Sequence, residues 1–331
     1  MLHAASNTCD RSVWVLKIER VKLLKYIKIM RLDHWIKQVF IIPGSIAALL
    51  LTGASLKIGL LEKFILGFFA TCLIASANYV INEWLDAEFD RYHPTKKNRS
   101  VVTEDVKGGV VYALYAFLTI AGLAISYWVN IPFLAMSAFL WVMGVAYNVK
   151  PLRTKDIPFF DVLTESINNA IRLFMGWFII TKDVFPPCSL ALGYWMAGAY
   201  LMAIKRFAEY KMINDPETAG LYRRSFKHYT EHSLLNSAFF YAMCSVFFIG
   251  VFLVKYRIEL ILFVPFLIGL FCTYFRLSFI ADSPVQKPEK LFHEKGLMLY
   301  CLLLVAIFTV LMLFDIPWLS SLADNKLIHM P

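Results

Sequence analysis

Stretches of roughly 18 to 20 residues without a charged side chain recur along the whole sequence, and that is the length an α-helix needs to cross ~30 Å of hydrocarbon. Lipid offers no water to backbone N–H and C=O groups, so such runs must close their hydrogen bonds internally, as helices. Nine candidates lie near 39–56, 64–82, 107–129, 131–149, 159–181, 188–204, 233–254, 259–275 and 297–314. Of 331 residues, 59% are hydrophobic and 17% charged, against roughly 45–50% apolar in a soluble domain. The expected fold is all-α: a single polytopic bundle of about nine transmembrane helices over 39–316. A basic interfacial segment, 1–38, precedes it and a short tail, 317–331, follows on the far side.

The charges orient this bundle. If the N-terminus is cytoplasmic, 26 of the 33 lysines and arginines fall in segments on that side, six fall on the other, and Arg172 lies within a span. Such a bias sets topology and accounts for the net charge of +9 without nucleic acid as a partner. "RVKLLKYIKIMRLDHWIK", residues 20–37, mixes lysines with leucine, isoleucine and tryptophan, as expected of a helix along the interface. No apolar core precedes residue 39, so a cleavable signal peptide is not expected. The six cysteines are scattered singly and the seven histidines show no ligand spacing, which leaves redox, zinc and acyl-transfer chemistry without support.

Polar residues concentrate at the cytoplasmic ends of two spans. In "NEWLDAEFD", helical periodicity puts Asn82, Asp86 and Asp90 at about 0°, 40° and 80°, on one stripe, with Glu83 at its edge and Glu88 on another face. An ionised carboxylate in a span costs about 2.5–3.5 kcal/mol on insertion scales, so it faces a cavity, partner or pathway. The alternative, acids that merely end a span, does not need a stripe. Members of the stripe stand about 6 Å apart along the axis. Mg²⁺, which takes one or two carboxylates and completes its octahedron with water and phosphate oxygens, suits that spacing. The basic run Arg91, Lys96, Lys97 and Arg99 follows, ready for phosphate.

In "DVLTESINNAIRLFMGW", Asp161, Glu165, Asn168 and Arg172 form one narrow ridge, and this span enters from the side where the first cluster exits. The two clusters can therefore meet. "YNVKPLRTKD" adds Tyr147, Lys150, Arg153 and Lys155 beside the same face, though basic residues in a short loop are also what orientation demands. Lys205 and Glu209, four apart, read as a helix pair worth a few tenths of a kcal/mol; Arg206 lies off their stripe. The long polar loop at 205–232 is a candidate cap.

These residues resemble the UbiA-type membrane prenyltransferases, and within them the branch of decaprenyl-phosphate phosphoribosyltransferases, from about Arg31 to the end. The family's N-D-x-x-D-x-x-x-D motif is matched by Asn82, Glu83, Asp86 and Asp90, with Glu83 departing conservatively. The branch's continuation, D-R-x-H-P-x-K-x-x-R-P, is matched by Arg91, His93, Pro94, Lys96 and Arg99, with Ser100 in place of the last proline. Arg31, Trp35 and Lys37 resemble its opening stretch, and Lys205, Arg206, Ala208 and Glu209 its K-R-x-A-E stretch. Asp161, Arg172 and Gly176 are in place in the second motif, whereas Asn168-Asn169 replaces Gly-Phe and Glu165 follows the prenyl-diphosphate pattern.

The resemblance implies a Mg²⁺-dependent transferase moving a 5-phosphoribosyl group from phosphoribosyl diphosphate to a polyprenyl phosphate in the bacterial plasma membrane, its active site cytoplasmic. Asn82, Glu83, Asp86 and Asp90 would serve the metal and Asp86, Asp90, Asp161 and Glu165 the chemistry. Lys37, Lys96, Arg99, Tyr147, Lys150, Arg153, Asn168, Arg172, Lys205 and Arg206 would bind substrates. Two alternatives stand beside it: a prenyl diphosphate donor with an aromatic or other acceptor, and a non-enzymatic transporter or assembly subunit. Self-association is left open.

Overall fold

The computed structural model describes residues 24–319, except 56–57, 94–95, 105, 281–282, 287–290 and 292. Most of the basic N-terminal segment, Pro94, and the tail from 320 onward lie outside the described residues. Every regular element among the described residues is helical. A 3₁₀ stretch, Leu32–Ile41, leads into α1 (Ile42–Thr52), followed by α2 (Ile58–Asp90), α3 (Gly108–Val129), α4 (Ile131–Asn148), α5 (Phe160–Ile180) and α6 (Cys188–Ile213). The short α7 (Pro216–Tyr222) then precedes α8 (Glu231–Tyr256), α9 (Val264–Leu277) and α10 (Lys295–Leu313).

Seven helical segments among the described residues are long and apolar enough to cross a membrane. The sequence-based count of nine also took in α5 and α6. Both are long enough, but their polar and small residues dilute them below that level, and these two helices carry much of the site. The first segment, Leu24–Thr52, includes part of the stretch expected to lie along the interface, and a turn at Met30 and Arg31, the latter at φ 53°, followed by the 3₁₀ stretch, separates its first residues from α1. Helix α2 likewise continues through Asp90 instead of ending at the acids.

Helix α5 is the centre, packed against α1, α2, α4 and α6. Ile41, Ile74, Phe133, Met175 and Trp177 fill the core on one side of it, and Val162, Tyr200, Ala203, Ala238 and Phe271 the core on the other. The α1–α5 crossing depends on two facing glycines. A methyl group added at Gly44 would lie 1.9 Å from the Leu173 carbonyl oxygen, and one at Gly176 would lie 1.9 Å from that of Ile41. Backbones approach this closely only through small residues, and Ser45 Oγ donates to the Gly176 carbonyl at 2.8 Å across the same contact. Gly176→Ala is accordingly expected to destabilise the detergent-solubilised protein by about 1–3 kcal/mol, read as a lower Tm. Gly250→Ala, where the added carbon meets nothing within 4 Å, is expected to leave Tm unchanged.

The outward faces of α3, α8 and α10 present Phe117, Trp128, Phe239, Phe247, Leu299 and Leu302, all exposed. Apolar surface of this extent is what lipid contact requires.

Candidate active site

A cavity of about 1600 Å³ opens at the polar end of the bundle and runs inward among the helices. Helix α2 supplies one wall. Asn82, Glu83, Asp86 and Asp90 all line it, whereas Glu88 is exposed on another face, as the helical angles require. Asn82 Nδ2 donates to Asp86 Oδ2 at 3.1 Å and to Asn148 Oδ1 at 2.5 Å, tying α2 to the end of α4. Asp86 Oδ1 receives Arg153 at 3.0 Å and Lys155 Nζ at 2.5 Å, and Asp90 Oδ2 receives Arg99 at 2.6 Å.

The stripe does not form a closed metal nest: among the described residues no three acidic, histidine or cysteine side chains converge on one point. Spacing along the helix is one reason and the cation on each aspartate is the other. Glu83, almost fully buried, faces the charges of Arg99 and Arg31. Burial holds the Lys155 ammonium below the usual lysine range, with Asp86 pulling the other way.

The second wall comes from α5 and α6 and is organised by Arg206, which is 1% exposed. Its guanidinium reaches Asp161 at 3.3 Å, Glu209 at 2.9 Å and also Glu165. Glu165 Oε2 accepts the Tyr147 hydroxyl at 2.7 Å. Asp161 is fully buried and does not line the cavity; the hydroxyls of Tyr229 and Ser225 donate to it at 2.7 and 3.2 Å. The helical ridge thus gave Asp161 the right face but the wrong depth. It sits beneath the cap, paired with Arg206 and off the cavity lining.

The expected cap is present. Asp215 starts α7 by accepting the backbone N–H groups of Glu217 and Thr218 at 3.3 and 3.1 Å, with Pro216 in the first turn. Tyr222 and Arg223 at its end line the cavity. Lys96 bonds the Tyr222 hydroxyl, lies 4.7 Å from the centre of that ring and pairs with Glu209 at 3.4 Å. His93 packs edge-on to Tyr222 at 4.4 Å; burial, with Lys96 alongside, pushes its pKa down to about 3, so it is neutral at pH 7. Arg223 donates to Tyr147 at 3.2 Å and stands 3.7 Å from Asp161.

Of the expected substrate contacts, Lys37, Lys96, Arg99, Tyr147, Arg153, Asn168, Arg172, Lys205 and Arg206 line this one cavity. Lys150 does not: it is exposed, and Lys155 of the same loop is buried on Asp86 in its stead. Glu209 pairs with Arg206 and Lys96, not with Lys205 as spacing suggested. Lys155 and Glu209, which the sequence named but did not assign to the metal or to substrates, line the cavity, as do Asn148, Tyr222 and Arg223, which it did not single out. The K-R-x-A-E resemblance pointed at Glu209; the others carry no periodic signal.

The model of the UbiA prenyltransferase family matches residues 40–303. The chain belongs to that family. Members similar to it over part of their length include the decaprenyl-phosphate phosphoribosyltransferase of Mycolicibacterium smegmatis, 28% identical over 211 residues, which are 63% of this chain and 63% of that one. The protoheme IX farnesyltransferase of Aeromonas salmonicida is 27% identical over 157 residues, 46% of this chain and 53% of its own. This UbiA-family chain therefore aligns with a little under two thirds of the first of these relatives. In three dimensions it resembles a UbiA homologue from Archaeoglobus fulgidus bound to GPP and Mg²⁺, with a TM-score of 0.65 at 18% identity, over 88% of this chain and all of the other. The UbiA fold and the apolar helices make it an integral membrane protein, and the family is one of transferases.

Proposed function

We propose that this UbiA-family chain transfers a 5-phosphoribosyl group from phosphoribosyl diphosphate to a polyprenyl phosphate, releasing diphosphate. One observation carries the reading: a continuous cavity joins a chamber lined by eleven lysines and arginines against eight carboxylates to an apolar channel lined by Ile249, Phe252, Leu267, Phe271, Leu304 and Phe308. The chamber suits anionic groups and the channel a lipid tail.

Asn82, Asp86 and Asp90 present, on one wall, the oxygen donors that Mg²⁺ takes when phosphate oxygens and water fill its other positions. Bound there, Mg²⁺ would neutralise charge developing on the leaving diphosphate. Lys155 and Arg153, now on Asp86, and Arg99, now on Asp90, are placed to turn toward phosphate oxygens as the donor enters, and Lys96 closes from the cap side. A lipid phosphate oxygen bonds to the anomeric carbon as that carbon's bond to the diphosphate oxygen breaks, and the electron pair leaves with diphosphate. The attacking phosphate is already an anion, so alignment matters more than a general base. Glu165 faces the ribosyl group, while Asp161 holds Arg206 and the cap in position.

The donor assignment is supported by the basic run after Asp90 and by Asp161. A prenyl donor served by metal at both acidic clusters needs Asp161 on the cavity, and it is fully buried away from it. Glu165, which does face the cavity, favours that donor as a second reading. The polar end is read as cytoplasmic in a bacterial plasma membrane, supported by the 26-to-six distribution of basic residues.

Nanodisc-embedded protein with Mg²⁺ is offered labelled phosphoribosyl diphosphate with polyprenyl phosphate, or labelled prenyl diphosphate with aromatic acceptors. A ribosylated lipid and equimolar diphosphate are expected from the first mixture alone. Consumption of the prenyl donor instead would refute the assignment.

A further inference from the structure

A second hollow, of about 670 Å³, lies where the capped end of α5 meets α6 and the start of α8, and it shares no lining residue with the chamber. Phe159 and Leu163, Trp195 and Met196, and Phe240 and Tyr241 form its apolar walls. Phe159 and Phe240 are exposed at its mouth. The floor is fixed by the Trp195 indole, which donates from Nε1 to the Leu163 carbonyl at 3.1 Å and to Ser166 Oγ at 3.2 Å.

Helix α8 is one of the segments long and apolar enough to cross a membrane, so a hollow along its first turns opens onto lipid. Its polar lining is confined to α8 at the capped end: Ser233, Asn236 and Ser237. Ser233 and Ser237 spend their hydroxyls on the carbonyls of Thr230 and Leu234, at 3.0 and 2.8 Å. Asn236 is exposed, and its amide makes no hydrogen bond among the described residues. It stands about 8 Å along α8 from Glu231, where water gives way to lipid, and a bare amide there needs a partner. The 3₁₀ turn Arg224–His228, which leads through Tyr229 to α8, adds the exposed cations Arg224 and Lys227 on the headgroup side. Cation, amide and apolar wall follow one another in the order of phosphate, ester carbonyl and acyl chain in a glycerophospholipid.

We propose that this hollow seats one glycerophospholipid of the surrounding leaflet, an acyl chain lying between Phe159, Trp195 and Phe240 and an ester carbonyl accepting from Asn236 Nδ2. The seat adjoins the anchorage of the cap. The Phe159 N–H donates to the Tyr229 oxygen at 2.5 Å, and the two rings pack edge to face at 5.3 Å. Tyr229 donates in turn to Asp161 at 2.7 Å, the carboxylate paired with Arg206 at 3.3 Å. A lipid packed on Phe159 therefore braces the capped ends of α5 and α6. The assignment does not depend on which donor the chamber takes.

The test places the full chain in nanodiscs of phosphatidylcholine and phosphatidylglycerol, with a trace of phosphatidylglycerol carrying a diazirine midway along one acyl chain. On irradiation, labelling of 159–163, 195–196 and 233–241 is expected to exceed several-fold that of the lipid-facing surfaces around Phe117 and Leu299. Equal labelling of all these surfaces means ordinary bilayer contact and overturns the assignment. Asn236→Leu is expected to lower labelling of the hollow roughly 2- to 10-fold, the worth of one neutral hydrogen bond. Ser237→Trp, which fills the hollow, is expected to remove it, and both variants should leave labelling around Phe117 and Leu299 unchanged. In detergent, added phospholipid is expected to raise the Tm of the wild-type chain more than that of Ser237→Trp, as binding to the folded state requires; an equal rise in both overturns the seat. Should Ser237→Trp aggregate, the wild-type labelling pattern and Asn236→Leu decide. A disulfide-linked pair of chains formed in high yield by Ser237→Cys in nanodiscs would make the hollow a protein interface and overturn it as well.

Discussion

In the donor assay, Asp86→Asn is expected to lower transfer about 100- to 1000-fold, the loss typical when one preorganised group acting on developing charge is removed. The fold should survive. Arg153 keeps Asp156 at 3.1 Å, and Lys155, which loses its carboxylate, keeps the Asn148 amide oxygen at 2.8 Å. Those same cations, freed of their carboxylate, should still hold the anionic donor, so donor binding without Mg²⁺ is expected to persist while the Mg²⁺ needed for half-maximal rate rises. That separation of binding from turnover distinguishes a metal-binding aspartate from one that only orders the loop. If transfer continues at the wild-type rate with an unchanged Mg²⁺ dependence, Asp86 is not a metal ligand.

Arg206→Met is expected to have the largest effect on stability. The substitution leaves Glu165 and Glu209 without their shared guanidinium and leaves Asp161 with the more distant Arg223. Breaking a buried pair from one side costs about 3–5 kcal/mol, because the surviving charge stays buried, and Arg206 serves three. A fall in Tm of the order of 10 °C is the expected reading in detergent. Arg206→Lys should recover little of it, since an ammonium lacks the planar fork that reaches separate carboxylates at once. An unaltered Tm in Arg206→Met would mean that the network is not what holds α5, α6 and the cap together.

Helical periodicity made the walls of the site legible in the sequence. Asn82, Asp86 and Asp90 share a face because residues four apart lie one above another, and the same rule separated Glu88 from them. The rule gives direction, not depth, which is why Asp161 was placed among groups that meet substrate when it lies beneath the cap. Loops obey no period: nothing in "YNVKPLRTKD" distinguishes exposed Lys150 from buried Lys155, because the choice depends on where Asp86 waits on another helix. Lys205 and Glu209 illustrate a third limit, since local spacing proposes a pair that the longer reach of Arg206 and Lys96 overrules. The span count meets a related limit: α5 and α6, included among the nine spans read from the sequence, carry polar groups that line the cavity or lie beneath the cap, so apolarity alone describes them least well.

Helix α2 has 33 residues, about 50 Å at ~1.5 Å each, against ~30 Å of hydrocarbon. The excess length can carry its acidic end to the level of the lipid headgroups, where, on the proposed reading, a long-chain acceptor would be modified with its tail still dissolved in the bilayer. Turnover should then follow the mole fraction of polyprenyl phosphate in the surrounding leaflet, and diluting vesicles of fixed composition should leave the rate per enzyme unchanged.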